Sequence, residues 1–217
     1  MSSFFLAMTV YPEVQRKARE EIDRVIGIHR LPTLADRDSL PYIEAVAKEA
    51  FRWHPIAPMG VPHVASRDDV LGEYLIPKGA MMIQNIWWFT HDPEVYPDPM
   101  RFNPDRYLVD PPPPSPTNYI FGFGRRICPG RLLAESSVWL IVARSLAALE
   151  IKKPLDGNGH EIEPNVEFAA GVLSHPAPFQ ASITPRSPQH EELIRAVEID
   201  HPWEEGSAQA LESVRWK

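Results

Sequence analysis

The ten residues from Phe121 to Gly130 constrain this chain more than any other stretch. They hold its only cysteine, Cys128, with glycines on both sides, two arginines just upstream and a strongly helical pattern just downstream. Glycine lets a backbone turn sharply or approach another group closely. The amide groups at a helix N-terminus favour a thiolate. The segment therefore predicts a sulfur at the mouth of a helix, suited to ligating a metal that an anionic cofactor carries.

The composition narrows the alternatives for this cysteine. A single cysteine excludes an internal disulfide, and the eight histidines do not have the spacing of a zinc site. The net charge of −7 argues against a broad nucleic-acid surface, so we expect no nucleic-acid partner. A lone cysteine is more often a small buried hydrophobic residue than a ligand, and from composition alone that alternative stays open.

Hydrophobic periodicity predicts three main helices, over residues 12–27, 40–51 and 131–149. The last is apolar on most sides, so we expect it to be buried. Residues 73–85 predict a hairpin, with a turn at residues 77–79. Short strands and turns alternate over residues 151–184. Between them, the proline-rich residues 93–120 predict an irregular meander that ends at the cysteine segment.

Both ends of the chain differ from this pattern. Residues 1–10 are apolar and predict the last turns of a buried helix, because they are fewer than the ~20 residues that a bilayer span needs. They also lack the basic start of a signal peptide. We expect upstream sequence, including a membrane anchor, to be missing. Residues 186–217 predict a charged tail with a weak helical stretch near 191–197.

Two further motifs carry charge. Glu49 and Arg52 stand three residues apart on a predicted helix, where side chains share a face. Taken alone, such a pair is more often solvated on the surface. Arg106 follows Pro104 within the meander and could either reach back to a carboxylate or lie exposed.

In this order, the three motifs closely resemble those of the cytochrome P450 family. The family pattern E-x-x-R corresponds to Glu49 and Arg52, and a P-x-R-F-like segment corresponds to Pro104, Arg106 and Tyr107, where tyrosine replaces the usual phenylalanine. The pattern F-x-x-G-x-R-x-C-x-G is matched at every specified position, by Phe121, Gly124, Arg126, Cys128 and Gly130. The resemblance covers about residues 2–186, and the style of the chain is similar to fungal microsomal members.

The resemblance implies a fold class, mainly α with small β-hairpins (α+β). The chain would be the C-terminal part of the cytochrome P450 fold, with the N-terminal half absent. Residues 1–185 would form the haem-thiolate core and residues 186–217 the tail. Glu49, Arg52 and Arg106 would form a buried charge network that holds the meander on its helix.

The resemblance also implies a cofactor, haem b, with Cys128 as the axial thiolate ligand of its iron. Arg126 would contact one haem propionate and His63 another, and the less favoured alternative for His63 is a solvated strand histidine. Phe121 would pack near the haem. The implied cofactor-binding residues are His63, Phe121, Gly124, Arg126, Cys128 and Gly130.

Two mostly apolar segments would face a lipophilic substrate, with plain strand core as the alternative. The segments are residues 56–61 and 171–174, and the residues singled out in them are Ala57, Pro58, Met59, Val61, Val172 and Leu173. Positive charge around the sulfur, from Arg125, Arg126 and Arg131, would suit docking of an acidic NADPH-cytochrome P450 reductase. Alternatively, these arginines serve the haem or only solvate the loop.

The family's oxygen-activating acid–alcohol pair lies upstream of E-x-x-R, and Ser2, Ser3 and Thr9 do not match it. No catalytic residue is therefore identified in this chain. One hypothesis is a monooxygenase that inserts one atom of O₂ into a lipophilic compound. A second is a non-catalytic haem-binding remnant, and a third is a soluble domain in which Cys128 is simply buried. We expect the endoplasmic reticulum membrane, cytoplasmic face, for full-length members, and a soluble cytoplasmic location for this chain alone.

Overall fold

Helices dominate the computed structural model, which describes residues 1–200 and residue 202. The α-helices in that part of the chain are α1 (Ser2–Val10), α2 (Pro12–Val25), α3 (Pro41–Trp53), α4 (Ile86–His91), α5 (Arg131–Ala148) and α6 (Pro188–Asp200). Short 3₁₀ turns cover Leu34–Ser39, Pro104–Tyr107, Pro116–Asn118 and Gly124–Arg126. The three helices predicted from periodicity are present, within a few residues of their predicted bounds.

Within residues 1–200, six short strands form three two-stranded antiparallel sheets. β1 (His63–Val64) pairs with β4 (Met81–Met82), β2 (Asp69–Leu71) with β3 (Tyr74–Ile76), and β5 (Leu149–Lys152) with β6 (Ser182–Pro185). β5 directly follows α5, and β5 and β6 lie at the two ends of the region predicted to be rich in strands. Each sheet is small, so the helices provide most of the core.

The hairpin predicted over residues 73–85 is wrong. Its turn forms, because the Ala80 amide donates to the Pro77 carbonyl over 3.0 Å. However, β3 pairs with the preceding strand, β2, and β4 pairs with β1, so β3 and β4 do not pair with each other. The reason is the two-residue loop after Leu71, in which Gly72 has a φ of +60°. A glycine with positive φ suits a tight two-residue hairpin, which fixes the register of β2 and β3.

The core forms where α1, α2, α3 and α5 pack together. Helix α5 contributes Trp139, Val142 and Leu146 to this core, and all three are fully buried. The expectation that α5 is buried along its length is wrong for its first turn, where Leu132 and Leu133 are 77% and 74% exposed. The α5 residues of the core cluster all come later in the helix, and the first turn lies outside that packed region.

Two buried polar side chains of α2 orient the elements around the site. The Glu21 carboxylate accepts hydrogen bonds from the backbone amides of Tyr42 and Ile43, at 3.0 and 3.1 Å. A carboxylate at this position satisfies free amides at the start of α3 and complements the helix dipole. The Gln15 side chain exchanges two hydrogen bonds with the backbone of Ile151, at 2.7 and 2.9 Å. These bonds fix α3 and β5 on α2.

The region predicted as a charged tail starts with ordered structure. The Arg186 guanidinium donates to Asp23 and to the Ala147 carbonyl, and His190 in α6 is buried. The first part of this region, from Arg186 to His190, therefore packs against the helical core. The rest of the predicted tail, residues 201 and 203–217, lies outside the described residues, and the division at residue 185 stays a prediction. In the described part of the chain, no helix is long and apolar enough to cross a bilayer.

Candidate functional site

A buried carboxylate joins α3 to the meander. Glu49 accepts two hydrogen bonds from the Arg52 guanidinium, at 2.8 and 2.9 Å, and one from Arg106 Nε at 3.3 Å. The side chains of Glu49 and Arg52 have no exposed area. The pair thus departs from the surface location that is more common for such a motif. The structure brings together the three charges that the resemblance assigned to one network.

The other donors of the two guanidinium groups reach main-chain carbonyls. Arg52 Nη1 donates to the Thr90 carbonyl at 2.9 Å, and Arg106 Nη1 donates to the Pro97 carbonyl at 2.9 Å. Glu49 also accepts from the Asn103 amide at 2.8 Å. Buried charges need such partners to offset the loss of water. The meander is therefore cross-linked to α3, and its far end leads into the cysteine segment.

Tyr107, where the family pattern has phenylalanine, adds a polar atom beside this network. Its hydroxyl is buried and has no hydrogen-bond partner among the described residues. Burial, followed by the nearby Glu49 carboxylate, raises the pKa of Tyr107 well above its usual range, so the phenol stays neutral. The ring can pack as phenylalanine would. The buried hydroxyl lowers stability, because it loses its hydrogen bonds to water and gains none in the protein.

The cysteine segment forms a closed loop just before α5. The Cys128 amide donates to the Phe121 carbonyl at 2.8 Å. Gly122 and Gly124 adopt φ values of +77° and +61°, which a side chain would disfavour. Gly130 is the N-cap of α5, and a Cβ there would lie 3.7 Å from the Cys128 sulfur. Cys128 itself is exposed, so the alternative in which it is a buried hydrophobic residue is wrong.

Most of the predicted cofactor-binding residues line one cavity of about 950 Å³. Cys128, Arg126, Phe121 and His63 all line it. They come from the cysteine loop and from β1, which are more than 50 residues apart in sequence. Gly124 and Gly130 are outside the lining and act on the backbone of the loop. The structure thus places the Cys128 sulfur, the Arg126 guanidinium and the His63 imidazole around a common space.

The predicted substrate-facing residues divide into two groups. Ala57 and Val61 line the cavity. Pro58, Met59, Val172 and Leu173 are not among its lining residues within the described chain, and both Val172 and Leu173 are exposed. Of the predicted segment 171–174, Ser174 does line the cavity, and His175 and Pro176 complete the C-terminal wall. The cause is backbone pairing, because the Ser174 amide donates to the Ile56 carbonyl at 2.7 Å and brings this residue to the wall.

Sequence reasoning did not assign several other lining residues to the site. Phe51 packs edge-to-face on Phe121, with ring centroids 5.8 Å apart. His54 lies where α3 ends, and Gln84 follows β4. For His54 the available signal was its position between a helix end and Pro55. Nothing in the local sequence marks Phe51 or Gln84 as facing a cavity.

The donor set fits a haem. A cysteine sulfur suits iron, and a guanidinium suits a carboxylate. Among the described residues no carboxylate lies within salt-bridge distance of Arg126, so its charge is free to pair with a propionate. Phe51, Phe121 and Val138 give the cavity apolar walls. Its volume is within the roughly 300–1,000 Å³ typical of small-molecule and cofactor sites.

Comparison with known proteins gives one consistent family. The sequence model of the family described as "Cytochrome P450" matches residues 1–183. The chain is 54% identical to the cytochrome P450 monooxygenase claR of Ampulloclitocybe clavipes, over 93% of this chain and 38% of that protein. It is 49% identical to the O-methylsterigmatocystin oxidoreductase of Aspergillus flavus, over 96% of this chain and 39% of the relative.

A solved structure agrees with these relatives. A zebra fish cytochrome P450, determined with abiraterone, superposes with a TM-score of 0.76 at 33% identity. The match covers 86% of this chain and 44% of the zebra fish chain. The chain thus spans about two fifths of the length of the curated relatives that it matches.

Proposed function

The chain belongs to the cytochrome P450 family, and we propose that it forms the cysteine-bearing, haem-binding part of a monooxygenase. Membership confirms the resemblance predicted from the three motifs. With the structural match, it also confirms the predicted fold class, a helix-rich partial cytochrome P450 fold with small sheets. The cofactor of the family is haem, whose iron carries an axial cysteine thiolate.

One observation carries the proposal: the Cys128 sulfur, Arg126 and His63 meet in a single cavity that apolar side chains complete. Cys128 would ligate the iron, and Arg126 and His63 would each pair with a propionate. Phe121 would pack beside the sulfur and limit the access of water to it. When bound, a haem with a thiolate ligand supplies the chemistry that favours O–O cleavage.

The proposed net reaction takes a C–H compound, O₂, two electrons and two protons to an alcohol and water. One oxygen atom enters the substrate, and the other leaves as water. The apolar residues Ala57 and Val61 support a lipophilic substrate, because they line the same cavity as the sulfur. The names of the relatives favour this function over a non-catalytic remnant, since both are a monooxygenase or an oxidoreductase.

We further propose that the electrons come from an acidic flavoprotein, NADPH-cytochrome P450 reductase. Arg125 supports this partner, because it is exposed beside the sulfur, whereas the charge of Arg126 is assigned to a propionate. Arg131 contributes less, since its Nε atom already pairs with Glu135 at 2.7 Å. The membrane of the endoplasmic reticulum, cytoplasmic face, is the location that we propose for the complete protein, by analogy with microsomal members of the family.

Spectroscopy tests the ligand assignment directly. The 217-residue chain is reconstituted with haem, reduced and exposed to carbon monoxide. We expect a thiolate-type Soret band in the native chain and its loss in Cys128→Ala. A Cys128→His variant is the matched control, because it can still hold iron but gives an imidazole-type spectrum.

Two results would contradict the proposal. An unchanged thiolate-type spectrum in Cys128→Ala would remove Cys128 as the ligand. Failure of the folded native chain to take up haem would reject the haem-binding function for this chain. Oxidation of a lipophilic compound in the presence of the reductase then tests whether the chain supports turnover.

A further inference from the structure

His54 and Ser174 form a buried contact at the cavity. His54 Nε2 lies 2.8 Å from Ser174 Oγ, although the two residues are 120 positions apart. Both line the cavity, and their exposed fractions are only 9% and 7%. The imidazole also stacks on Phe168, with centroids 3.5 Å apart and planes inclined by 13°. The ring is therefore fixed in both position and orientation.

The direction of this hydrogen bond follows from the partners of the hydroxyl. Ser174 Oγ is also 2.7 Å from the Ala169 carbonyl oxygen, which can only accept. The single hydroxyl proton therefore points to Ala169, and His54 Nε2 must carry the proton that it donates to Ser174. His54 Nδ1 is then unprotonated, and it is a buried atom without a partner among the described residues. Burial lowers the pKa of His54 to about 4, which keeps the ring neutral at pH 7.

Few other hydrogen bonds attach the segment that Ser174 belongs to, although Phe168 at its start also packs edge-to-face on Trp53. The segment folds back on itself through the bonds from the Ala169 amide to the His175 carbonyl and from the Ala177 amide to the Glu167 carbonyl, both 2.8 Å. Its pairing is an isolated bridge between Phe168 and Pro176 rather than part of a sheet. It reaches the opposite wall through the Ser174 amide, which donates to Ile56, and through the His54 side chain.

We propose that His54 is a positioning residue, which holds the C-terminal wall of the cavity (residues 174–176) against the opposite wall, formed by Ile56, Ala57, Gly60 and Val61. The distance between the two walls sets the space in which a lipophilic substrate lies. The link to substrate rests on the proposed function, whereas the link to the wall does not. A role in core packing alone would need only the ring stacked on Phe168, and phenylalanine would satisfy it.

Two variants separate positioning from packing. His54→Phe keeps a ring on Phe168 but removes the Nε2 donor. His54→Gln loses the ring but brings an amide donor close to the position of Nε2. Ser174→Ala removes the acceptor. His175→Phe is the matched control, because His175 lines the same wall and makes no bond to His54 or Ile56.

Hydrogen–deuterium exchange on the 217-residue chain measures the effect on the wall. We expect the amides of residues 169–177 to exchange roughly fivefold to tenfold faster in His54→Phe, as for the loss of one buried hydrogen bond. Ser174→Ala should do the same, and the double variant should add little to either single change. His54→Gln should recover most of the native protection, and His175→Phe should leave it unchanged. Native exchange rates in both His54→Phe and Ser174→Ala would overturn the proposal.

Two further measurements link the contact to its tautomer and to ligand binding. Nitrogen chemical shifts should show His54 protonated at Nε2 at pH 7, and an Nδ1-protonated ring would also overturn the proposal. In haem-loaded chain, 1-phenylimidazole should bind at least threefold more weakly to His54→Phe, while the carbon monoxide spectrum stays unchanged. If the chain takes up no haem, the proposed function fails, and the exchange data still decide the role of His54.

Discussion

Arg106 Nε lies 3.3 Å from Glu49 Oε1, although 57 positions separate the two residues in sequence. The same oxygen accepts from Arg52 Nη2, so one buried carboxylate serves two guanidinium groups. Through this atom, α3 holds the segment that leads to the cysteine loop. The geometry of the candidate site therefore depends on a carboxylate that does not line the cavity.

Replacing this carboxylate should destabilise the fold strongly. We expect Glu49→Gln to lower the free energy of unfolding by about 3–5 kcal/mol, because two guanidinium groups lose their buried counter-charge. Urea unfolding followed by circular dichroism measures the change. The control is Glu20→Gln, which breaks the exposed pair with Arg16 and should change stability by less than about 1 kcal/mol. If the two variants lost similar amounts of stability, burial of Glu49 would not explain its contribution.

Removing the hydroxyl of Tyr107 should not destabilise the protein. That oxygen is buried without a partner, so Tyr107→Phe should leave stability unchanged or raise it by about 1 kcal/mol. Tyr96→Phe is the matched control, because the Tyr96 hydroxyl donates to the Pro114 carbonyl at 2.8 Å. That variant should lose about 1 kcal/mol. Thermal unfolding of both variants measures these changes. A Tyr107→Phe variant less stable than Tyr96→Phe would disprove the prediction.

A side chain at Gly60 should disturb the cavity wall. An added Cβ would lie 2.7 Å from Gln84 Oε1, and the backbone φ is +60°. Gly72 has the same φ with nothing within 4 Å, so Gly72→Ala measures the backbone cost alone. We expect Gly60→Ala to cost about 1 kcal/mol more than Gly72→Ala in unfolding experiments, within the range for overpacking. The double variant Gly60→Ala with Gln84→Ala should recover part of that excess, because it removes Oε1 but keeps the Gln84 Cβ, 3.2 Å from the added Cβ; no recovery would rule out Oε1 as a source.

Two buried histidines should make stability depend on pH. Burial lowers the pKa of both His54 and His91 to about 4, and the charge of Arg52 also disfavours protonation of His91. Between pH 6.5 and 4 the unfolded chain binds more protons than the folded chain, so stability falls as the pH falls. The loss approaches about 3 kcal/mol for each histidine.

The variant His91→Phe tests this dependence. It removes one of the two titrating groups, so the free energy of unfolding should fall less steeply from pH 6.5 to 4 than in the native chain. Carboxylates that titrate in this range affect both proteins equally, so their effect cancels when the two slopes are compared. An equal slope in both would show that His91 does not contribute.

Much of the architecture was predictable because its signals are local. The 3.6-residue spacing of apolar side chains predicted α2, α3 and α5. The 73–85 hairpin was mispredicted because the turn at Pro77 forms without pairing the strands on its two sides, whereas the loop with Gly72 pairs β2 with β3. Exposure at the start of α5 could not be predicted either, since the composition of a helix does not show which of its turns reach the core.

The sequence by itself determined the chemistry of the candidate site. Residue types at fixed short spacings, in the Cys128 loop and in the Glu49–Arg52 pair, identified the family and the nature of its cofactor. Only the tertiary structure decided which side chains share the cavity. Ser174 forms its wall rather than Val172 or Leu173, and His54 joins that wall to α3. Such contacts depend on distances between segments 120 residues apart, which arise only when the backbone between them has folded.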